Sequence, residues 1–213
     1  MRVNVGCGRS PTKGWRNFDN SPSLRLARCP FFPRLLFKVG ILDKAQYEFV
    51  QFARRNSIEY GDAVRRLPIS DSSVDVLYSS HMIEHLDREE AILFLRECQR
   101  ILKSEGILRL AVPDLKKLVK QYLQDDDADA FVAGTLLAQS RPRGLSKRIS
   151  MMLVGPRNHL WMYDGLSLSK FLRSQGFRDP AVMGPGETTI GDAQALNLSE
   201  RSSESVYVEA VKP

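Results

Sequence analysis

The stretch "VNVGCGRSPTKGWRNFDN", Val3 to Asn20, has the order of a nucleotide-binding turn: a strand, Gly-x-Gly and an acidic residue. Gly6 and Gly8 allow the backbone to approach a ligand closely, and Asp19 can accept hydrogen bonds from ribose hydroxyls. A dinucleotide-binding turn has a third glycine that opens a helix, and its acid follows about 20 residues later. Here Ser10 replaces the third glycine and the acid comes sooner, so a nicotinamide or flavin dinucleotide is only the second choice.

Length and composition predict one domain over residues 1–213, because 43% hydrophobic residues suffice for a core of this size. No stretch approaches the about 20 consecutive apolar residues that cross a bilayer, and Met1 leads straight into a strand. We therefore expect a cytoplasmic protein. Cys7, Cys29 and Cys98 lack Cys-x-x-Cys spacing, which argues against a disulfide framework and a structural zinc site.

The net charge of +6 favours anionic partners, although simple solubility explains it equally well. Basic residues concentrate between Arg9 and Arg66 and again between Arg141 and Arg157. Acidic residues cluster between these two segments, from Asp125 to Asp129. The charge is therefore distributed in blocks rather than evenly.

Buried-strand and helix patterns alternate along the chain. Helices are predicted from Asp43 to Arg55, from a capping box at Asp87 to near Gly106, and in "DGLSLSKFLRSQGF". The predicted strands are Val3–Val5, Trp15–Asp19, Ser57–Tyr60, Val74–Tyr78, Ile107–Val112 and Ser205–Val211. Such alternation predicts a mostly parallel sheet covered on both faces, with the last strand antiparallel at one edge.

Two segments interrupt this alternation. The first, residues 21–56, separates the second and third strands, and the second covers residues 141–159. Ligands of open α/β folds bind at the carboxyl edge of the sheet. We expect both segments to form a cap over that edge.

The stretch "IEYGDAVRRLPISDSSVDVLYSSHMIEHL", Ile58 to Leu86, places an acid after the third strand and a small polar pair with a histidine after the fourth. This order resembles the class I S-adenosylmethionine-dependent methyltransferases, particularly the methyltransferase type 11 group and its predicted bacterial relatives. The resemblance runs from Val3 to about Lys117 and returns weakly in "HLWMYDGLSLSKFLRSQGF" and "ESVYVEAVKP". It implies a Rossmann-like α/β sandwich, with a mostly parallel seven-stranded sheet, an antiparallel edge strand and helices on both faces.

The resemblance also implies how S-adenosylmethionine binds. The turn Gly6–Gly8, including Cys7, would lie against the amino-acid part of the cofactor. Asp19 would hold the ribose hydroxyls, Asp62 the adenine amino group, and the backbone at Ala63 a ring nitrogen. Two carboxylates at strand ends do suit a ligand with a diol and an exocyclic amine, because both are hydrogen-bond acceptors.

The chain departs from the family pattern at the first helix, for which the span after Arg9 is too short. Asn4 also stands where the family usually has an acid. The cofactor's carboxylate would therefore meet a side chain, Arg9 first and Lys13 second, since a guanidinium can grip it with two bonds. The backbone amides of residues 7–10 are an equally good alternative.

The methyl-transfer pocket would be lined by Ser79, Ser80 and His81. The sulfonium already activates the methyl group, so a protein has mainly to position the acceptor and, if needed, remove a proton. His81 is the first candidate for the base, with pocket shaping as an equal alternative. His159, beside Trp161, is a tentative second candidate, although packing explains it as well.

The segment "HMIEH" fits the H-x-x-E-H pattern of inverted zinc peptidases. In those enzymes both histidines lie on one helix, whereas His81 here follows a strand and the helix begins after Asp87. We expect no metal. A structural cap or an orienting hydrogen bond is the interpretation of Glu84 and His85.

The predicted function is S-adenosylmethionine-dependent methylation of an oxygen or nitrogen on a small, anionic acceptor, such as a sugar or lipid-linked saccharide. A non-catalytic cofactor-binding partner or regulator is the alternative from another class. No DNA is expected, because motifs of cytosine and adenine methyltransferases are absent, and no RNA-binding module is recognisable. Weak membrane-surface contact would use Phe31, Phe32, Leu35, Leu36 and Phe37 among basic neighbours, unless these residues are buried in the core.

Overall fold

A seven-stranded sheet organises the computed structural model, which describes residues 1–21, 24, 32–38, 40, 42–137, 158–193 and 195–213. Its strands run in the order β3-β2-β1-β4-β5-β7-β6. Their bounds are Arg2–Val5 (β1), Arg16–Asp19 (β2), Glu59–Tyr60 (β3), Val74–Ser80 (β4), Leu102–Pro113 (β5), Arg178–Met183 (β6) and Ser205–Val211 (β7).

Strands β1 to β5 pair in parallel, and β7 is antiparallel to both of its neighbours. The predicted mixed sheet is therefore confirmed, and Ser205–Val211 is antiparallel as predicted, but it lies one strand in from the edge because β6 pairs outside it. The outermost strand β6 was not predicted. It contains Pro180 and lacks an alternating pattern of buried residues, as an edge strand can.

Six helices lie around the sheet in the described part of the chain, with a short 3-10 turn, Ile83–His85, after β4. Their bounds are Phe32–Lys38 (α1), Lys44–Arg55 (α2), Arg88–Ile101 (α3), Leu115–Asp125 (α4), Ala128–Thr135 (α5) and Gly165–Ser174 (α6). The predicted starts of α2 and α3 are confirmed, because Asp43 and Asp87 form complete capping boxes there.

The prediction that α3 continues to near Gly106 was wrong, since the helix ends at Ile101 and β5 begins at Leu102. The last carbonyls of α3 receive backbone N–H groups from a neighbouring loop, at Ser72 and Ser73. Leu102 then pairs with Val74 in the sheet and is fully buried. Tertiary contacts thus decide a boundary that the local pattern leaves open.

Both faces of the sheet are buried. Leu77, Leu108 and Leu110 point to the face that packs with α3 and α6. Alternate residues, such as Tyr78 and Tyr207, point to the other face. There they pack with Trp15, Ile190 and Leu196. The period-2 alternation of strands places these two sets on opposite sides.

Only parts of the two predicted cap segments are described. Residues 21–56 include α1 and α2, whose contact includes the stacked rings of Phe37 and Tyr47. Residues 138–157 lie outside the described part, and so do Arg28, Cys29 and Phe31. The cap over the sheet edge stays a prediction.

Candidate functional site

The carboxyl ends of the central strands meet at one edge of the sheet. In register, Val5 lies beside Phe18 on one side and Ser79 on the other, and Asp19 lies beside Tyr60. Every predicted cofactor residue lies in the last residues of one of these strands or just after it. The structure thus brings to a single edge Gly6, Cys7, Gly8, Arg9, Asp19, Asp62, Ala63, Ser79, Ser80 and His81.

The glycine turn has a backbone that side chains would not tolerate. Gly6 adopts a φ of +69° and a Cβ there would lie 2.6 Å from Cγ of Met82. Gly8 also has a positive φ, +49°, but faces open space. Gly6 is therefore required by close packing against the segment after β4, whereas Gly8 leaves room beside the turn.

Two buried asparagines replace the first helix of the family pattern. No described residue between β1 and β2 is helical. Asn4 donates from Nδ2 to Ser10 O and Thr12 Oγ1, both at 3.1 Å. Asn17, its register partner on β2, accepts from Thr12 N at 2.7 Å and donates to Trp15 O at 2.9 Å. The loop is thus held by side chains from the strands beneath it.

This role of Asn4 and Asn17 was missed by the sequence analysis. The signal was present at Asn4, which stands between the apolar Val3 and Val5 of a buried strand. Burying an amide is costly unless it is hydrogen-bonded, so a buried asparagine indicates a local partner.

Asp19 is bound to the glycine turn. Its Oδ2 accepts from Gly8 N at 3.1 Å and its Oδ1 from Ser21 N at 2.8 Å. Burial raises the pKa of Asp19 above its ordinary value, although these two N–H groups counteract part of the effect. Each carboxylate oxygen accepts one bond here and can accept another.

The neighbouring thiol of Cys7 is not a nucleophile. Burial, and then the charge of Asp19, raises the pKa of Cys7 to about 12. The thiol is therefore protonated at neutral pH, and thiolate is the reactive form. Cys7 acts here as a small apolar residue under the turn.

Asp62 follows β3, beyond Gly61, whose N–H donates to Asp19 O at 3.1 Å. Its Oδ1 accepts from Val64 N at 3.1 Å, and its Oδ2 lies 3.5 Å from Nε of Arg65. The side chain is partly exposed and Ala63 is buried. One oxygen of Asp62 is thus held by a backbone N–H, and the other faces the exposed Arg65.

Ser79 and His81 differ in the hydrogen bonds that their side chains make. Ser79 Oγ is buried and has no hydrogen-bond partner among the described residues. His81 has a left-handed φ of +50°, and its Nε2 lies 2.8 Å from Ser205 Oγ. Its Nδ1 lies 3.4 Å from Oε1 of Glu84.

Glu84 is the centre of a cluster that sequence reasoning did not find. Its side chain is 1% exposed, and both carboxylate oxygens lack hydrogen bonds to the described residues. His85 Nε2 lies 4.0 Å away, and the rings of His85 and His159 meet edge to face at 5.0 Å. All three histidines of the chain, His81 included, surround this carboxylate.

His159 is less accessible than its tentative assignment as a base assumes. It is buried, and its Nδ1 lies 2.8 Å from Thr135 O. Burial lowers the pKa of His159, so the neutral ring is favoured near pH 7. The neighbouring Trp161 packs under the guanidinium of Arg88, in agreement with a packing role.

Arg9 contacts α2 rather than the turn. Its guanidinium lies 6.0 Å from the ring of Phe49 and donates to Ala45 O at 3.5 Å. The side chain is exposed, and the contact is long for a hydrogen bond. Moving the guanidinium to a bound anion would therefore break only this weak contact.

The apolar segment of α1 is exposed only in part. Leu35 and Phe37 are exposed, Pro33 is buried and Leu36 is intermediate. Across the described ranges, no helix has both the length and the apolar character needed to cross a membrane.

Comparisons with known proteins agree with this geometry. The family model described as "Methyltransferase domain" matches residues 41–110. A probable S-adenosylmethionine-dependent methyltransferase of Mycobacterium tuberculosis, found in strains CDC 1551 and H37Rv, is 34% identical over 71 residues. That match covers 33% of this chain and 23% of the length of the relative, so the chain spans less than a quarter of it.

Solved structures extend the likeness to the whole fold. A Thermotoga maritima S-adenosylmethionine-dependent methyltransferase, described as a possible histamine N-methyltransferase, has a TM-score of 0.54 at 16% identity. The comparison covers 100% of this chain and 82% of that one. A Methanosarcina mazei methyltransferase gives a TM-score of 0.52 at 15% identity, over 99% and 91% of the two chains.

The match to the family model begins after the glycine turn. The likeness of the turn to methyltransferases therefore rests on the comparison of structures, and that of residues 41–110 also on sequence. The cofactor that the names of these relatives and solved structures share is S-adenosylmethionine. Residues 41–110 are therefore similar to methyltransferase domains, and the whole chain shares its fold with solved S-adenosylmethionine-dependent methyltransferases.

Proposed function

We propose that this chain transfers the methyl group of S-adenosylmethionine to an oxygen or nitrogen of a small, anionic molecule. The observation that carries the proposal is the register of β1, β2 and β4, which gathers the glycine turn, Asp19 and Ser79 at one edge. The class is supported by the family; the acceptor is inferred from the residues around the edge.

The cofactor would lie along this edge in an extended conformation. Residues Gly6–Gly8 would contact its amino-acid part, with Arg9 on the carboxylate. Asp19 would accept from the ribose hydroxyls, and Asp62 from the adenine amino group, for which each has an oxygen with spare acceptor capacity. The unpaired Ser79 hydroxyl would then gain a partner.

The methyl group would pass from the sulfonium to a lone pair of the acceptor, leaving S-adenosylhomocysteine. Positioning in line and exclusion of water supply most of the rate enhancement in such a transfer. An acceptor hydroxyl or ammonium must also lose a proton, and His81, just after β4, would be the residue that takes it. The contact of Nε2 with Ser205 Oγ orients its ring, and Nδ1 lies 3.4 Å from Oε1 of Glu84.

An anionic acceptor is favoured by the basic residues beside the edge. Arg9 and Lys13 are exposed on the loop after β1, and Arg65 and Arg66 are exposed just after β3. A sugar phosphate or a lipid-linked saccharide has the required charge. In the second case the exposed Leu35 and Phe37 on α1 would contact the membrane surface.

The proposal is tested by methyl transfer itself. The full chain is incubated with S-adenosylmethionine carrying a labelled methyl group and with separate pools of phosphorylated sugars, neutral metabolites and anionic-lipid vesicles. We expect label in the phosphorylated or lipid-linked pool, with an equal amount of S-adenosylhomocysteine. Asp62→Ala should lose this activity, and Asp129→Ala, on the exposed first turn of α5, should keep it.

Cofactor binding without transfer to any pool would instead support the non-catalytic alternative, in which the chain acts as a partner or regulator. Transfer only to neutral metabolites would contradict the anionic acceptor. Failure of the chain to associate with anionic vesicles at low salt would remove the membrane-surface version.

A further inference from the structure

Three side chains outside the proposed cofactor site are arranged as ligands. Glu84, His85 and His159 each offer one ligand atom, and these atoms lie within 4.8 Å of one another. Ligands of a tetrahedral zinc ion, each about 2.0–2.1 Å from the metal, are separated by about 3.4 Å. Small side-chain rotations would therefore close the group around an ion.

The two histidines are already held in the form that binds a metal. Nδ1 of His85 lies 2.9 Å from Asn158 O, and Nδ1 of His159 lies 2.8 Å from Thr135 O. A carbonyl can only accept, so each Nδ1 carries a proton, and in the neutral ring the lone pair is then on Nε2. Metal-binding histidines almost always have their second nitrogen anchored in this way.

The carboxylate supplies the second, independent observation. Both oxygens of Glu84 are buried without a hydrogen-bond partner, and no lysine or arginine of the described ranges pairs with them. A buried charge is costly unless it is paired or coordinates a metal. The turn is also fixed in place, since Glu84 O accepts from Leu160 N at 2.7 Å and Trp161 N at 3.2 Å.

We propose that Glu84, His85 and His159 bind one divalent transition-metal ion, and that zinc(II) is the ion their ligand types fit best. Two imidazoles and one carboxylate are a ligand set that zinc uses with a fourth position open. This set differs from that of the H-x-x-E-H pattern, because His81 is replaced by His159 from a distant segment. The ion would tie residues 158–163 to the turn after β4.

The test measures metal directly and needs no methyl acceptor or cofactor. The full chain, free of any polyhistidine tag, is stripped with a chelator and titrated with zinc chloride in competition with a chromophoric chelator. We expect one zinc per chain, and a visible absorption band of tetrahedral intensity when cobalt(II) is used instead.

Variants separate this site from adventitious surface binding. His85→Ala and His159→Ala should each weaken zinc binding by at least about 100-fold, since each removes a ligand. His81→Ala is the matched control, because His81 faces the same carboxylate without belonging to the ligand group, and it should keep the stoichiometry. His85 is about one-third exposed, so its variant should fold even if the buried His159 variant does not.

Failure of the stripped chain to bind zinc would overturn the proposal. So would zinc binding that is unchanged in His85→Ala, because the ion would then lie elsewhere. Loss of S-adenosylmethionine binding with retained zinc would count against the proposed function alone, which keeps the two results distinguishable.

Discussion

Two buried carboxylates lie in opposite situations. Glu209 on β7 is 3% exposed and its oxygens are fully used: Arg109 donates from Nη1 at 2.6 Å, and Thr188 and Thr189 also donate to it. Glu84, after β4, is as deeply buried but has no such donor in the described part of the chain. The carboxylate of Glu209 is therefore satisfied, whereas that of Glu84 lacks hydrogen-bond partners among the described residues.

The hydrogen-bonded Glu209 serves to hold the fold together, whereas Glu84, unpartnered within the described ranges, can still bind another group. Burial raises the pKa of Glu209, but the hydrogen bonds from Thr188, Thr189 and Arg109 outweigh it, and the pKa is lowered. Arg109 further donates to two carbonyls, Glu187 O and Leu198 O, so the network fastens the segment that covers this face of the sheet. Unfilled polar atoms at the carboxyl edge, by contrast, are what a ligand site presents before binding.

The largest expected effect is the loss of stability when the ion pair of Arg109 and Glu209 is broken. Glu209→Ala would leave the guanidinium of Arg109 buried without its partner, which costs about 3–5 kcal/mol of unfolding free energy. Urea denaturation measures this loss. Combined Arg109→Met and Glu209→Leu should cost less than Glu209→Ala, because no charge is then stranded; an equal or greater loss would show that the pair itself stabilises the fold.

At the carboxyl edge we expect a substitution to weaken ligand binding and to leave the stability of the fold almost unchanged. Asp62→Ala should weaken S-adenosylmethionine binding about 10- to 150-fold, or roughly 1.5–3 kcal/mol, by removing a bond to the adenine amino group. Stability in urea should change little, since Asp62 is partly exposed. Calorimetry against the unchanged chain measures the affinity. A large loss of stability with unchanged affinity would show that Asp62, like Glu209, stabilises the fold and does not bind the cofactor.

Arg9 tests which group meets the carboxylate of the cofactor. Arg9→Ala should weaken S-adenosylmethionine by up to about 3 kcal/mol, the range for a charge-assisted bond, and leave adenosine unaffected because it has no carboxylate. Lys13→Ala, on the same loop, tests the second candidate in the same way. Equal losses for both ligands, or none for either, would leave the charge to the backbone amides of the turn.

The smallest effect belongs to a surface carboxylate. The hydrogen bond from Lys103 lowers the pKa of Asp75 to about 2, and the side chain is 49% exposed. A lowered pKa stabilises the fold above the ordinary value of 3.8, and this contribution is lost as the pH falls towards 2. Solvent screening limits it to below about 1 kcal/mol.

Comparison with Asp75→Asn between pH 5 and pH 2 isolates that contribution from those of other carboxylates. The two stabilities should converge at the acid end. A constant difference across this range would show that Asp75 keeps the same pKa in the unfolded chain.

Much of the fold could be predicted from the sequence because its signals are local. The run from Val74 to Tyr78, the capping boxes at Asp43 and Asp87, and the spacing from Gly6 to Asp19 each specify an element without help from distant residues. The edge strand β6 and the end of α3 could not be predicted, because pairing with other strands and loops determines them.

The candidate site divides in the same way. Residues at the carboxyl ends of parallel strands must meet at one edge, so the sequence could predict that the proposed cofactor residues lie together there. The contact of Glu84 with His159 could not, because it depends on two backbone bonds from residues 160 and 161 to Glu84 O. Three histidines around one carboxylate are visible only once those bonds have brought the segments together.

Cofactor binding is the most direct test of the carboxyl edge as a ligand site. Isothermal titration of the full chain with S-adenosylmethionine, S-adenosylhomocysteine and NAD compares the three ligands under the same conditions. We predict micromolar-range binding, about 8 kcal/mol, for the first two and none for NAD. Tight binding of NAD without any response to S-adenosylmethionine would contradict the assignment.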